Sequence, residues 1–276
     1  MTSSDWPRFT DPPSAAFVDV DGTLLAQTTT FLFARILYSR GLIRRSFFLR
    51  GLYHGLQHRF GRLDYGQLIE IGLTYIQRIP VVELERIAYE NFAEHVRPRL
   101  YEGVVEHFSH LRRAGTPIVL VSSSPGLVIE PLAIYLGCAD ILTTPVEIER
   151  GRLVGRGSGP PCYGEGKVYW ASRWAAENRV NIDHAVAYAD NWSDRSLLER
   201  VGRAVVVHPK GRLLRLARAR GWDIVRPQRP VFTKSSAVKG MRRVKANDIG
   251  GSTVPGRGNV DSGAYDQETP SGPAAP

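Results

Sequence analysis

The segment Ala15–Leu25, AAFVDVDGTLL, places two acidic side chains at the end of an apolar run. No polar side chain precedes Asp19 in this run, which predicts a buried strand. Side chains two positions apart on a strand point the same way, so Asp19 and Asp21 can share one site. Two carboxylates buried side by side need a cation or hydrogen bonds to offset their charge. Gly22 permits a turn directly after them.

Three further loops carry residue types that phosphoryl transfer uses. Ser122 follows the apolar run PIVLV, Lys167 begins a helix after the turn GEGK, and Asp190 and Asp194 lie in DNWSD after HAVAYA. A carboxylate nucleophile takes the phosphoryl group covalently and splits one difficult step into two. Hard oxygen ligands suit Mg²⁺, and a hydroxyl and an ammonium stabilise charge on the phosphoryl oxygens.

Taken singly, each of these signals has a plainer explanation. An Asp-Gly pair or a Ser after a strand commonly forms a turn. A Lys at a helix start is usually a solvated charge, and Asp is a good helix cap. Isolated motifs carry a known false-positive risk, but their order on alternating strand ends favours the joint, chemical interpretation.

Apolar strands and amphipathic helices alternate from Arg99 onward. The predicted strands are Pro117–Val121, Ile141–Leu142, His184–Ala189, Ala204–Val207 and a short one near Asp223–Val225. Such alternation predicts an α/β fold with a parallel sheet covered by helices on both faces. In these sheets ligands collect at the carboxyl ends of the strands.

Two local patterns add to this outline. The segment Pro145–Val154 predicts a hairpin that turns at Arg150–Gly151. The helix predicted over Tyr101–Ala114 has its apolar face at Val104, Val105, Phe108 and Leu111. His107 and His110 then fall on its exposed side, and we give them no role.

The stretch Gln27–Pro98 is predicted to be mostly helical. Between Asp21 and Asp64 there is no acidic residue, and within Thr30–Phe60 aromatic residues alternate with arginines. This composition is typical of a basic, amphipathic helical pair. Such helices bind anionic membrane surfaces, and the same charges would suit an anionic substrate. Peripheral contact with an anionic membrane through Thr30–Phe60 is therefore one interpretation.

The overall composition favours anionic partners without choosing among them. The net charge is +9 and the pI about 9.8, which suits phosphorylated metabolites, nucleic acid or membrane surfaces. No nucleic-acid-binding module is recognisable, and nothing indicates an oligomeric state. Cys138 and Cys162 lack metal-ligand spacing and favour a reducing cytoplasm over a disulfide scaffold. Neither a secretory signal nor an apolar run long enough to span a bilayer occurs, so we expect a cytoplasmic protein.

Both ends of the chain are predicted to lie outside the folded part. Residues 1–14 hold three prolines and no periodicity, which predicts a flexible lead-in. Residues 227–276 are rich in Ser, Gly and Pro with few apolar side chains, which predicts disorder. The basic residues in the first part of this tail are most simply explained as solvated charge.

The motifs together resemble those of the haloacid-dehalogenase-like (HAD) superfamily. In chain order, the matching positions are Asp19–Thr23, Ser122, Lys167 and Asp190–Asp194. The helical insert after the first motif and the form GEGK are similar to subfamily IB, the phosphoserine-phosphatase-like branch. The resemblance covers Ala15 to about Val225. It implies a Rossmann-like three-layer parallel-sheet core from residues 15–26 and 99–226, with a helical cap formed by 27–98.

The resemblance also implies an activity, namely magnesium-dependent hydrolysis of phosphate monoesters through an aspartyl-phosphate intermediate. Asp19 would be the nucleophile, and Asp21 the general acid and then the general base. Mg²⁺ would be held by Asp19, the backbone carbonyl of Asp21, and Asp190. Asp194 would be a further acidic residue of the metal site.

The implied phosphate-binding residues are Ser122 and Lys167, with Gly22 and Ser123 as additional candidates. One position departs from the family pattern. Phosphoserine phosphatases carry a glutamate that meets the substrate amine seven residues after the second motif-one aspartate, and here that position is Thr28. Losing a carboxylate that pairs with an ammonium weakens binding, because charged hydrogen bonds are the strong ones. L-Phosphoserine is therefore only one candidate among small phosphorylated substrates.

Three alternatives stay open at this point. The substrate could be a lipid-type phosphate at a membrane surface, since the Thr30–Phe60 segment is basic and aromatic. The phosphoryl group could pass to an acceptor other than water, which the same residues would support. The chain could also be a binding or scaffold protein on the same fold, although all four motif positions are intact.

Overall fold

The computed structural model describes residues 6–59, 64–157 and 159–230. Their strands are β1 Ala16–Val18, β2 Ile118–Ser122, β3 Asp140–Thr143, β4 Val146–Glu149, β5 Arg152–Arg156, β6 Val186–Ala189, β7 Arg203–Val207 and β8 Asp223–Val225. Six of them form one parallel sheet in the order β3-β2-β1-β6-β7-β8. The predicted α/β class with a parallel-sheet core is confirmed.

Helices cover this sheet and fill the long segment between β1 and β2. They are α1 Thr29–Ser39, α2 Ser46–Arg59, α3 Tyr65–Thr74, α4 Val81–Asn91, α5 Val104–Arg113, α6 Gly126–Leu136, α7 Glu165–Glu177, α8 Arg195–Arg200 and α9 Gly211–Arg220. A π-helical turn, Phe92–Val96, and a 3₁₀ turn, Arg97–Arg99, follow α4. Across the described ranges, no helix has the length and apolar character needed to cross a membrane.

The central strand β1 is buried on both faces, which explains its continuous apolar sequence. Val18 packs into one apolar cluster together with Leu120 and Tyr188. Phe17 points the opposite way, into a second cluster that includes Trp174. Since Val18 pairs with Leu120 of β2 and with Tyr188 of β6, the carboxyl ends of these three strands lie side by side.

A third apolar cluster holds the helices between β1 and β2 together. It includes Phe33 and Leu37 of α1, Leu84 of α4, Val128 of α6 and Leu153 of β5. Helix α6 follows β2, so this cluster ties the helical segment to the sheet. The hairpin of β4 and β5 joins the same cluster and turns as predicted.

The turn of that hairpin explains its sequence. Arg150 and Gly151 have φ values of 48° and 72°, and two-residue hairpin turns with positive φ at both positions match the twist of the strands. The Gly151 carbonyl accepts a hydrogen bond from the backbone N–H of Val81 at 2.9 Å. The hairpin therefore supports the start of α4.

The prediction of a flexible lead-in over 1–14 is wrong for residues 6–14. Trp6 is buried, its indole N–H donates to the carbonyl of Glu102 at 3.0 Å, and its ring stacks on His107 with centroids 5.1 Å apart. Ser14 donates its backbone N–H to the carbonyl of His184 at 3.1 Å. A single large aromatic ring supplies enough apolar surface to fix a segment that lacks periodicity.

The placement of His107 on an exposed helix face is also wrong. His107 is buried in α5, and its Nε2 lies 2.8 Å from the hydroxyl of Tyr188. Val105, which we placed on the apolar face, is 40% exposed.

At the other end, residues 227–230 still contact the core. The Gln228 carbonyl accepts a hydrogen bond from Glu102, and the Pro227 carbonyl lies 3.0 Å from His208 Nε2. The disorder predicted for 227–276 is therefore wrong for 227–230, and the rest of that prediction, 231–276, lies outside the described residues.

Candidate active site

Asp19 follows β1 directly and is buried at the carboxyl end of the sheet. Its backbone N–H donates to the carbonyl of Tyr188 at 2.9 Å, which extends the pairing with β6 one residue past the strand. Asp19 Oδ1 accepts a hydrogen bond from Lys167 Nζ at 2.6 Å, and Oδ2 accepts one from Thr23 Oγ1 at 2.9 Å. Because both oxygens are bonded, the carboxylate is held in one orientation.

Lys167 lies in the first turn of α7 and is 3% exposed. Its Nζ is 2.6 Å from Asp19 Oδ1 and 2.9 Å from Asp194 Oδ1. Burial lowers the pKa of Lys167, but the two carboxylates outweigh burial and raise it above the ordinary value. Gly166 lets this turn come close, because a Cβ there would lie 1.8 Å from the carbonyl oxygen of Pro161. The sequence GEGK thus delivers a buried cation to two acids.

Asp21 lies where the sheet meets α1. Its Oδ1 accepts the backbone N–H of Thr29 at 2.7 Å, and its Oδ2 accepts the hydroxyl of Ser124 at 3.0 Å. Burial raises the pKa of Asp21 to about 6; the Thr29 hydrogen bond lowers it and the charge of Asp19 raises it. Asp19 and Asp21 therefore have different environments, one salt-bridged and the other paired with neutral donors.

Asp190 follows β6, and Asp194 lies one turn further along. One carboxylate oxygen from each, together with one from Asp19, lie within 4.8 Å of one another. Burial raises the pKa of Asp190 to about 7, and the charges of Asp19 and Asp194 add to this effect. Burial likewise raises the pKa of Asp194, against the opposing effect of Lys167. The cluster carries more negative charge than Lys167 alone offsets.

This donor set fits Mg²⁺. Three converging carboxylates are hard oxygen ligands of the kind Mg²⁺ takes, and its double positive charge would offset the excess negative charge of Asp19, Asp190 and Asp194. Lys167 forms salt bridges with both Asp19 and Asp194, whereas Asp190 forms none with any described residue, so Asp190 is the carboxylate that most needs the added positive charge. Three of the four predicted metal residues, Asp19, Asp190 and Asp194, are thus brought together, while the side chain of Asp21 bonds to Thr29 and Ser124 outside this cluster.

Gly22 matters to the site because it has no side chain. Its φ is +93°, and a Cβ on it would lie 2.2 Å from Asp190 Oδ2. Its backbone N–H donates to the carbonyl of Leu25 at 2.8 Å and so is used inside the turn. The structure shows that Gly22 makes room for Asp190, and the phosphate contact of Gly22 stays a prediction.

The serines after β2 lie at the same edge of the sheet. Ser122 is buried, and its hydroxyl accepts the backbone N–H of Ser124 at 3.1 Å. Ser123 lines a cavity together with Asp21. Ser124, which sequence reasoning missed, bonds to Asp21 and lies 3.0 Å from the hydroxyl of Thr29. A run of three identical residues gives no signal for choosing among them.

A cavity of about 300 Å³ lies between α1, α2, α3 and the loop after β2. Asp21, Thr28, Ser123 and Ser124 line it on the side of the sheet. Most of the remaining lining side chains are apolar and come from the helices, among them Phe33, Leu37, Phe47, Leu68, Ile76 and Val128. The second carboxylate of the first motif therefore opens onto an apolar space.

Some apolar side chains of α1 and α2 face outward. Phe31 is 49% exposed, Leu49 72% and Tyr53 58%. They lie on the same two helices that carry the basic residues noted in the sequence.

Comparison with known proteins agrees with this geometry. The chain is 29% identical to a probable phosphatase of Mycobacterium tuberculosis (84% of this chain, 85% of that protein). It is also 29% identical to a phosphoserine phosphatase of the same organism (78% of this chain, 71% of that protein). Among solved structures it resembles a protein of unknown function from Bordetella pertussis, with TM-score 0.70, 28% identity, and 76% and 97% of the two chains covered.

The family model described as haloacid dehalogenase-like hydrolase matches residues 16–199. This span includes every residue of the site described above. The chain belongs to the haloacid dehalogenase-like hydrolase family.

Proposed function

We propose that this protein is a magnesium-dependent phosphatase that hydrolyses phosphate monoesters through an aspartyl-phosphate on Asp19. The observation that carries the proposal is the buried Asp19 carboxylate, bonded to both Lys167 and Thr23 at the end of the central strand. Asp21 lies two residues on and has different hydrogen-bond partners. Two relatives whose names describe them as phosphatases support the assignment.

In the first step a carboxylate oxygen of Asp19 attacks phosphorus. The bond from phosphorus to the ester oxygen breaks, and Asp21 gives its proton to the departing alcohol. Asp21 suits this role because Thr29 and Ser124 hold both of its oxygens in place.

In the second step a water attacks the phosphorus of the aspartyl-phosphate. Asp21 takes a proton from that water, and Asp19 leaves as a carboxylate. Inorganic phosphate is released, and both acids return to their starting states.

Positive charge around the phosphoryl group is the other requirement. Lys167 supplies one permanent charge beside Asp19, and the hydroxyl of Ser122 lies at the same edge of the sheet. Mg²⁺, held by Asp19, Asp190 and the backbone carbonyl of Asp21, would neutralise charge on the phosphoryl oxygens. The helices of residues 27–98 would act as the cap that excludes water and selects the substrate.

The test is phosphate release from a panel of phosphate monoesters, with Mg²⁺ and with a chelator. We expect turnover that needs Mg²⁺ and that Asp19→Asn abolishes, because an amide cannot accept the phosphoryl group. Acid-quenched wild-type enzyme should carry a phosphate on the peptide that contains Asp19, as read by mass spectrometry. Turnover that survives in Asp19→Asn would reject Asp19 as nucleophile.

Peripheral membrane contact through Thr30–Phe60 is a second, separate proposal. The exposed Phe31, Leu49 and Tyr53 support it, because interfacial helices combine outward apolar residues with basic charge.

A further inference from the structure

We infer that the alcohol portion of the phosphate ester substrate is uncharged and apolar, and that it binds in the cavity between α1, α2 and α3. This inference rests on the proposed function, because it assigns the leaving group of the same reaction. It names a substrate class, the phosphate monoesters of apolar alcohols, in place of phosphorylated amino acids.

The cavity begins where the leaving group departs. Asp21, which protonates the departing oxygen in the proposed reaction, lines it together with Ser123 and Ser124. Ser124 donates to Asp21 Oδ2 at 3.0 Å, so the acid is fixed at the cavity wall. The alcohol attached to a phosphoryl group on Asp19 would therefore extend into this space.

The lining chemistry selects against a charged alcohol. Among the described residues that line the cavity, the acidic and basic side chains are Asp21 and His54; there is no arginine, lysine or glutamate, and Thr28 is neutral. In the proposed reaction Asp21 carries the proton that the departing oxygen takes, so it is neutral when the substrate binds. The ammonium of phosphoserine would then lose water here without gaining a carboxylate partner, and its carboxylate would meet no arginine or lysine among the lining residues, which is costly. An apolar group gains free energy on the same transfer, roughly 0.8 kcal/mol for each buried methylene.

The volume of the cavity limits the size of the alcohol group that it can hold. A dry apolar cavity of about 150 Å³ takes up benzene, and this one is about 300 Å³. By that comparison it holds an unbranched chain of roughly eight to twelve carbons, or an aryl group with a short substituent.

A series of alkyl phosphates from ethyl to dodecyl, kept below micelle-forming concentrations, tests the inference. We expect kcat/KM to rise about fourfold for each methylene, then to level off once the cavity is full. Equal values along the series, or a higher value for L-phosphoserine, would overturn the inference while leaving the phosphatase proposal intact. No turnover of any ester, ethyl phosphate included, would instead reject the proposed function.

Gly72 of α3 offers a way to fill the cavity. It lines the space, and a Cβ added there meets no heavy atom within 4 Å. Leucine also favours a helix over glycine, so Gly72→Leu should fold. We expect the ratio of kcat/KM for decyl phosphate to that for ethyl phosphate to fall at least about tenfold, which corresponds to roughly two methylenes of lost room.

The matched control is Thr74→Leu, which adds the same side chain to the exposed side of the same helix. It should leave the decyl-to-ethyl ratio at the wild-type value. Equal ratios in wild type and Gly72→Leu would show that the chain binds elsewhere and would overturn the inference.

Lipids and small soluble metabolites could both supply such an ester. Comparing lysophosphatidic acid with a soluble aryl phosphate identifies the source. The inference stands only if at least one of the two exceeds both ethyl phosphate and L-phosphoserine in kcat/KM.

Discussion

Gly22 and Asp190 are packed so closely that a Cβ at position 22 would lie 2.2 Å from Asp190 Oδ2. The substitution Gly22→Ala must therefore displace a proposed metal ligand. We expect roughly 10- to 100-fold weaker Mg²⁺ activation, measured by titrating Mg²⁺ against phosphate release. Gly115→Ala is the control, because Gly115 has a similar φ of +88° but nothing within 4 Å of its Cβ. If both variants lost Mg²⁺ affinity equally, backbone strain and not Asp190 would be responsible.

Thr28 lines the cavity at the position where phosphoserine phosphatases carry a glutamate. We expect Thr28→Glu to raise kcat/KM for L-phosphoserine relative to octyl phosphate by about tenfold, because a carboxylate can pair with the substrate ammonium at about 1.5–3 kcal/mol. Thr28→Gln introduces a side chain of nearly the same shape as glutamate but without the charge, so it should change the ratio of kcat/KM for L-phosphoserine to that for octyl phosphate little. An equal shift in both variants would contradict the electrostatic reason.

His107 should make the fold sensitive to acid. Burial lowers the pKa of His107 to about 4, from an ordinary value of 6.5. Below pH 6.5 the unfolded chain binds a proton that the folded chain does not, so the free energy of unfolding falls between pH 6.5 and 4, by up to about 3 kcal/mol. Urea unfolding at a series of pH values measures this loss.

Substitution separates His107 from the other acid-sensitive groups. His107→Gln should flatten the dependence between pH 6.5 and 4, since glutamine can still contact Tyr188 but does not titrate. His110→Gln, on the exposed side of the same helix, should leave most of this pH dependence of the free energy of unfolding unchanged. An unchanged slope in His107→Gln would assign the acid sensitivity to other residues.

Leu49 tests the proposed membrane contact. We expect the protein to co-sediment with phosphatidylserine vesicles at low salt and less at high salt, because charge and apolar insertion act together. Leu49→Glu should reduce binding several-fold. Val82→Glu changes an equally exposed residue, 72% in both cases, on α4 and should bind like wild type. Absence of wild-type binding at low salt would end the proposal.

The sequence predicted the sheet and the acidic residues because both follow from local rules. Asp19 and Asp190 directly follow strands, and parallel strands must end at the same edge of a sheet. Ser124 could not be chosen, since its contact with Asp21 depends on how α1 crosses the loop after β2. His107 was misplaced because Val105, an apolar residue, suggested the wrong helix phase. Trp6 was missed because a single aromatic residue among prolines has no periodicity to reveal burial.

The position of β1 in the middle of the sheet has a consequence for how the protein is made. Ala16–Val18 is synthesised about a hundred residues or more before both of its partners, Ile118–Ser122 and Val186–Ala189. Pairings this distant in sequence form slowly, whereas helices α1–α4 can form from neighbouring residues. During synthesis, the residues that contact Asp19 are therefore added long after Asp19 itself. A truncated chain that lacks them would expose an apolar strand and have no active site.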